Sequence, residues 1–145
     1  MTMSKQHLQR PVTAALAVAA ACFSLGVLAA DVKVTLSGDQ EVPAVKTAAK
    51  GEGTITVGND GAVGGTVTTT GIDGTAAHIH GGAAGKNGGV LVPMQKMGDG
   101  KWGFAPGAKF TDDQMKQFKA GDTYVNVHTA ANPGGEIRGQ LKPGM

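Results

Sequence analysis

From residue 31 onward the chain is a succession of short runs in which apolar and polar side chains alternate. A period of two marks strands with one face buried. Asp31-Val32-Lys33-Val34-Thr35-Leu36 sets the pattern. Residues 51–57 repeat it, Gly58-Asn59-Asp60-Gly61 reverses the chain, and residues 62–70 return, rich in Val and Thr. Asn, Asp and Gly suit such a hairpin because they tolerate positive φ. Further strands are predicted at residues 75–80, 90–93, 101–104, 122–128 and 136–141. Pro43 cannot donate to a ladder, so Glu41-Val42-Pro43 reads as a loop or a sheet edge. Residues 111–121 change period: Thr111 can cap a helix, acids fill its first turn, Met115 and Phe118 share a face, and Gly121 stops it. The prediction is an all-β fold, an antiparallel Greek-key β-sandwich or barrel of seven or eight strands with one short helix.

Residues 1–30 follow another logic. Lys5 and Arg10 precede an apolar run, without any acid, and the run ends in small residues at Ala29-Ala30. That is the layout of a secretory signal peptide, with cleavage expected after Ala30. Residues 31–145 then form one exported domain, periplasmic or secreted. The run approaches membrane-spanning length, which leaves an uncleaved anchor as the alternative; after cleavage no stable membrane insertion is expected. Cys22 lacks the large aliphatic residue upstream that a lipidation site prefers.

Removing the leader alters the charge and the redox chemistry. Of 13 basic residues two lie in the leader, and the remaining eleven match 11 acidic ones. No basic stripe is left to hold a nucleic acid, so that partner class drops out. The single cysteine, Cys22, also goes, so the exported domain cannot form a disulfide. Packing, hydrogen bonds or a bound ion must stabilise it. Nucleophilic hydrolysis has little basis, since Ser37 is the only serine past the leader and no Gly-x-Ser-x-Gly surrounds it.

Histidine placement suggests a chemistry. Of four histidines, His7 lies in the leader. His78 and His80 flank Ile79 in one predicted strand, and His128 ends another, Tyr124-Val125-Asn126-Val127-His128-Thr129. Alternate strand residues share a face roughly 6.5–7 Å apart, so His78 and His80 project together. If the strand of His128 is their neighbour, three imidazoles converge, a donor set that suits Zn(II), Cu(II) or Cu(I). Copper is the preferred ion, because an exported protein meets it and His-x-His on a strand suits it; zinc is the alternative. Met94 or Met97 could add a soft thioether, although Met94 also reads as a core gap-filler and Met97 as loop. Glu41 or Glu136 could accept a ring N–H from a ligating histidine. Glu136 and Arg138 alternate on one strand face and could instead pair there. The run Gly81-Gly82-Ala83-Ala84-Gly85-Lys86-Asn87-Gly88-Gly89 is either a floppy connector or a loop whose backbone passes close to something.

Leu36-Ser37-Gly38-Asp39-Gln40-Glu41-Val42-Pro43, Ala77-His78-Ile79-His80-Gly81-Gly82, Tyr124 to Thr129, and Asn132-Pro133-Gly134-Gly135-Glu136-Ile137-Arg138-Gly139-Gln140-Leu141 together resemble the CHRD domain. This module is named after the developmental protein chordin and is widespread in secreted bacterial proteins. The resemblance spans residues 31–145 and implies an exported all-β domain. A second, weaker similarity is to the copper–zinc superoxide dismutases, also β-sandwiches with a His-x-His strand. It implies that His78, His80 and His128 are copper ligands and that Arg138 guides anions near the mouth. The dismutase copper site needs a fourth histidine, and none is present here.

Three functions remain open on these residues. The first is copper binding, storage or transfer through a three-histidine site. The second is a non-enzymatic adhesion or interaction module with structural histidines. The third is a dismutase-like copper redox enzyme. A homodimer or a periplasmic protein partner is compatible with any of them.

Overall fold

The computed structural model describes residues 30–144. The expected leader thus lies, apart from Ala30, outside the described residues. Nine strands form: β1 (Ala30–Ser37), β2 (Lys50–Val57), β3 (Val63–Thr70), β4 (Ala76–Gly81), β5 (Val90–Pro93), β6 (Gln95–Gly98), β7 (Lys101–Gly103), β8 (Thr123–His128) and β9 (Ile137–Leu141). One helix, α1 (Asp112–Lys119), and a 3-10 turn at Gly38–Gln40 complete the elements.

The strands make one antiparallel sheet in the order β5-β4-β8-β9-β1-β2-β3-β7-β6. Its two end strands are consecutive in the chain, with only Met94 between them. The sheet therefore curls until its ends approach, which gives a nearly closed barrel. Long-range pairings, β1 with β9 and β4 with β8, bring distant segments together. The all-β antiparallel architecture agrees with the alternating pattern, with one strand more than expected. The extra strand is β6, whose four residues are all exposed, so no apolar alternation announced it.

The alternating positions point where the pattern put them. Val32, Val34 and Leu36 of β1, Ala77 and Ile79 of β4, Val125 and Val127 of β8, and Ile137 and Leu141 of β9 are all buried in the interior. Burying one such Val, Leu or Ile side chain is worth about 1.5–3 kcal/mol. Trp102, Phe110 and Phe118 complete this cluster, with Met115 partly buried against it. The rings of Phe110 and Phe118 lie 5.7 Å apart, so the face of α1 carrying Met115 and Phe118 is the one that packs. Among the described residues no helix is long and apolar enough to cross a membrane.

Helix α1 starts with a capping box. Thr111 Oγ1 accepts the Gln114 N–H at 3.2 Å, and Gln114 Oε1 accepts the Thr111 N–H at 2.9 Å. Two backbone donors that would lack helical partners are satisfied reciprocally. Thr111→Ala is expected to lower the unfolding free energy by about 1 kcal/mol, measured by urea denaturation. An unchanged midpoint would show that the cap carries no weight.

Residues 38–49 and 82–89 are loops that lie over part of the outer face of β4, β8 and β9, reaching Asn126 through Glu41, His80 through Gly88 and Arg138 through Ala83. The loops are tied to each other by Asn87 Nδ2, which donates to Val42 O at 2.7 Å. Backbone contact settles the two readings of the glycine-rich run. A Cβ on Gly88 would sit 1.5 Å from Gly81 O, closer than any side chain allows. The run is glycine there because it folds flat against β4.

Candidate metal centre

Because Ala77 and Ile79 enter the core, His78 and His80 project from the outer face of β4. Strand β8 runs beside β4 in a register that sets Ala76 opposite His128, His78 opposite Asn126, and His80 opposite Tyr124. His128 is thus diagonal to His78, a spacing that imidazoles can bridge. The ring centroids of His78 and His128 are 4.9 Å apart, those of His78 and His80 5.4 Å, and those of His80 and His128 5.6 Å. One nitrogen from each ring can be chosen so that all three lie within 4.8 Å of one another. His80 and His128 are 8% and 9% exposed, and His78 is partly exposed.

The hydrogen bonds determine which nitrogens carry protons. His128 Nδ1 lies 2.9 Å from Pro133 O, and His80 Nδ1 lies 3.0 Å from Gly88 O. A carbonyl can only accept, so both rings carry the proton on Nδ1 and the lone pair on Nε2. His128 Nε2 is 3.0 Å from His78 Nδ1 and accepts its proton. His80 Nε2 is buried and has no hydrogen-bond partner. A buried acceptor left unpaired costs about 1–3 kcal/mol, which a bound cation would recover. Two imidazole nitrogens held at about 2.0–2.1 Å in a tetrahedral site stand roughly 3.3 Å apart. The 3.0 Å separation of His78 and His128 is close to that spacing. His78 can offer Nε2 as it stands, or Nδ1 after a change of tautomer.

The site also favours neutral rings. Burial is the main cause holding the pKa of both His78 and His80 below the ordinary imidazole value of 6.5. The neighbouring His128 adds to both shifts, and the Arg138 charge adds to that of His80. Neutral imidazole is the ligating form, so protons compete less with a metal here. The unfolded chain takes up protons that the folded one refuses, so metal-free protein loses stability as pH falls below 6.5. Glu41, raised by burial, acts in the opposite sense. Urea denaturation at pH 7.5 and 5.5 is expected to show a smaller loss when positions 78 and 80 are both Phe than in wild type. Equal losses would contradict the depressed values.

The other predicted site residues are not grouped with the histidines. Met94 is buried in the interior cluster, so the sheet separates its sulfur from the outer-face imidazoles. Met97 is 58% exposed on β6, lying against Gly103 of β7. Glu41 is buried and accepts a hydrogen bond from Asn126 Nδ2. Glu136 accepts from Thr47 Oγ1 at 2.8 Å, Thr129 Oγ1 at 2.7 Å and Asn132 Nδ2 at 3.3 Å, bonds that hold its pKa below the usual value. Neither carboxylate takes a histidine N–H; backbone carbonyls accept those of His80 and His128, and His128 Nε2 accepts that of His78.

Arg138 is only 1% exposed, and among the described residues it makes no salt bridge. Its guanidinium lies 3.5 Å over the Tyr124 ring and donates to Ala83 O at 3.0 Å and Gln140 Oε1 at 3.2 Å. It neither pairs with Glu136 along the strand nor stands open to solvent as an anion guide. The sequence reading left out Asn126, Tyr124, Gly88 and Pro133. Tyr124 and Asn126 could have been found by alternation, since both share the outer face of β8 with His128.

No curated protein and no solved structure matches the chain significantly, and similarity to the dismutases is not shown. The family model described as CHRD domain matches residues 32–141, from the first buried valine of β1 to the last residue of β9. The chain belongs to the CHRD domain family.

Proposed function

We propose that the protein is an exported copper-binding protein, serving in copper binding, storage or transfer, with His78, His80 and His128 as ligands. One observation carries this reading. All three histidines of the described chain converge within 4.8 Å, and a buried His80 Nε2 is left without a partner. Two of the three rings are braced through Nδ1 by backbone carbonyls, the arrangement that orients metal-ligating histidines. Nitrogen-only donors suit copper, which also stands above zinc in intrinsic affinity for such sites. Export rests on the charged, apolar and small-residue order of residues 1–30.

Titration of metal-free protein with Cu(I), Cu(II) and Zn(II), in wild type and His80→Ala, tests the proposal. One equivalent of copper bound more tightly than zinc, and lost in the variant, is expected. Micromolar binding that survives the substitution overturns it.

The direct His78–His128 hydrogen bond at 3.0 Å supports a second reading, in which the histidines are structural and the domain is an interaction module. In that case added metal would leave the melting temperature unchanged.

A further inference from the structure

We infer that Tyr124 is the positioning residue of the histidine site, fixing both the plane and the tautomer of His80. The inference rests on the metal-site reading and deepens it. Tyr124 sits directly opposite His80 in the β4–β8 ladder. The two rings stack with centroids 5.1 Å apart and planes 9° from parallel. The guanidinium of Arg138, from the strand on the other side of β8, lies on the same tyrosine ring at 3.5 Å. Tyr124 is thereby held between its cross-strand neighbours, and His80 is held by Tyr124.

The phenol acts a second time through Gly88. Tyr124 Oη accepts the Gly88 N–H at 3.1 Å and lies 3.4 Å from Gly88 O. Gly88 O is the acceptor for His80 Nδ1 at 3.0 Å. The hydroxyl therefore bridges the N–H and the carbonyl of Gly88, the residue whose carbonyl keeps the His80 proton on Nδ1. With the proton there, the lone pair must lie on Nε2, the atom buried without a partner. The loop has other ties, Gly81 N–H to Gly89 O at 3.0 Å and Asn87 Nδ2 to Val42 O at 2.7 Å, but Gly88 has no side chain with which to fix its own carbonyl. Tyr124 takes that role, reinforced by Arg138 on Ala83 O and by Gln140 Nε2 on Gly82 O at 2.9 Å.

Tyr124→Phe separates the two functions, since it keeps the stack and removes the hydroxyl. The test compares wild type, Tyr124→Phe and His80→Ala. It uses nitrogen-15 NMR of the histidine side chains in metal-free protein, and copper titration monitored by electron paramagnetic resonance. Wild type is expected to show His80 protonated on Nδ1. In Tyr124→Phe, with backbone spectrum and fold retained, His80 is expected to populate both tautomers. Its copper affinity is expected to fall by about 10-fold or more, the scale for residues that orient metal ligands, with an altered resonance signal. A purely structural tyrosine would change the melting temperature but neither the tautomer nor the signal. An unchanged tautomer in Tyr124→Phe overturns the inference, whether or not copper binds. Failure of wild type to bind copper overturns the metal-site reading, and the tautomer comparison still decides the role of Tyr124.

Discussion

Asn126→Asp is expected to destabilise the protein by about 3 kcal/mol at pH 7, the scale for a buried charge deprived of its partner. Asn126 is 2% exposed and Glu41 7% exposed. The amide donates to Glu41 Oε1 and, at 3.0 Å, to Ile137 O. Aspartate keeps the shape but offers no N–H, so it sets a carboxylate against both the Glu41 carboxylate and a carbonyl. Gly135 leaves no room for the pair to separate, because a Cβ at that position would already fall 2.4 Å from Asn126 Nδ2. Two carboxylates in contact raise at least one folded-state pKa above its unfolded value. The folded variant therefore gains protons relative to the unfolded chain as pH falls, and part of the loss is recovered on acidification. Adding Glu41→Gln to the same chain restores a donor and is expected to recover most of the stability at pH 7. Urea denaturation measures all three effects. A loss below about 1 kcal/mol would show that Glu41 does not depend on Asn126.

Copper is expected to raise the melting temperature by about 10 °C at a hundredfold excess over its dissociation constant. Binding to the folded state alone contributes about 2.7 kcal/mol under that condition. A domain of this size unfolds with an entropy that converts this energy into roughly such a shift. Each of His78→Ala, His80→Ala and His128→Ala is expected to abolish most of it. His128→Ala should cost the metal-free protein most, because it removes bonds to both Pro133 O and His78; His78→Ala and His80→Ala each remove one. Differential scanning calorimetry with and without copper separates this account from that of structural histidines. In the structural case the variants would lower the melting temperature and the metal would do nothing.

The sequence carried the fold in proportion to how plainly each segment alternated. β1 was legible because Val32, Val34 and Leu36 face the core while Asp31, Lys33 and Thr35 face solvent. β6 was not, because an exposed terminal strand paired only with β7 has no buried face to reveal it. The shared face of His78 and His80 followed from strand geometry alone. Their meeting with His128 depended on β8 lying beside β4 in one register, a long-range pairing that no local pattern encodes. A slip of one residue would have sent His128 to the other face.

Neither role weighed for the carboxylates is the one they take, for a related reason. Glu41 and Glu136 were open as partners for imidazole N–H groups, and Glu136 equally as an ion-pair partner of Arg138. The loops instead bring backbone carbonyls of Gly88 and Pro133 to those positions, and carbonyls are invisible in a residue-type pattern. Arg138 was open as a partner of Glu136 or as an anion guide, but β9 places it beneath residue 83 of the covering loop. Of the two readings of Met94, the core gap-filler is the one the barrel realises, on the inner side of the sheet.

X-ray absorption spectroscopy of copper-loaded protein tests the central claim most directly. The account predicts a shell of three imidazole nitrogens at about 2.0 Å with no sulfur near 2.3 Å, the distances at which such ligands bind metals of this size, and loss of one imidazole in His128→Ala. A sulfur shell, or a nitrogen shell unchanged by removing His128, would contradict it.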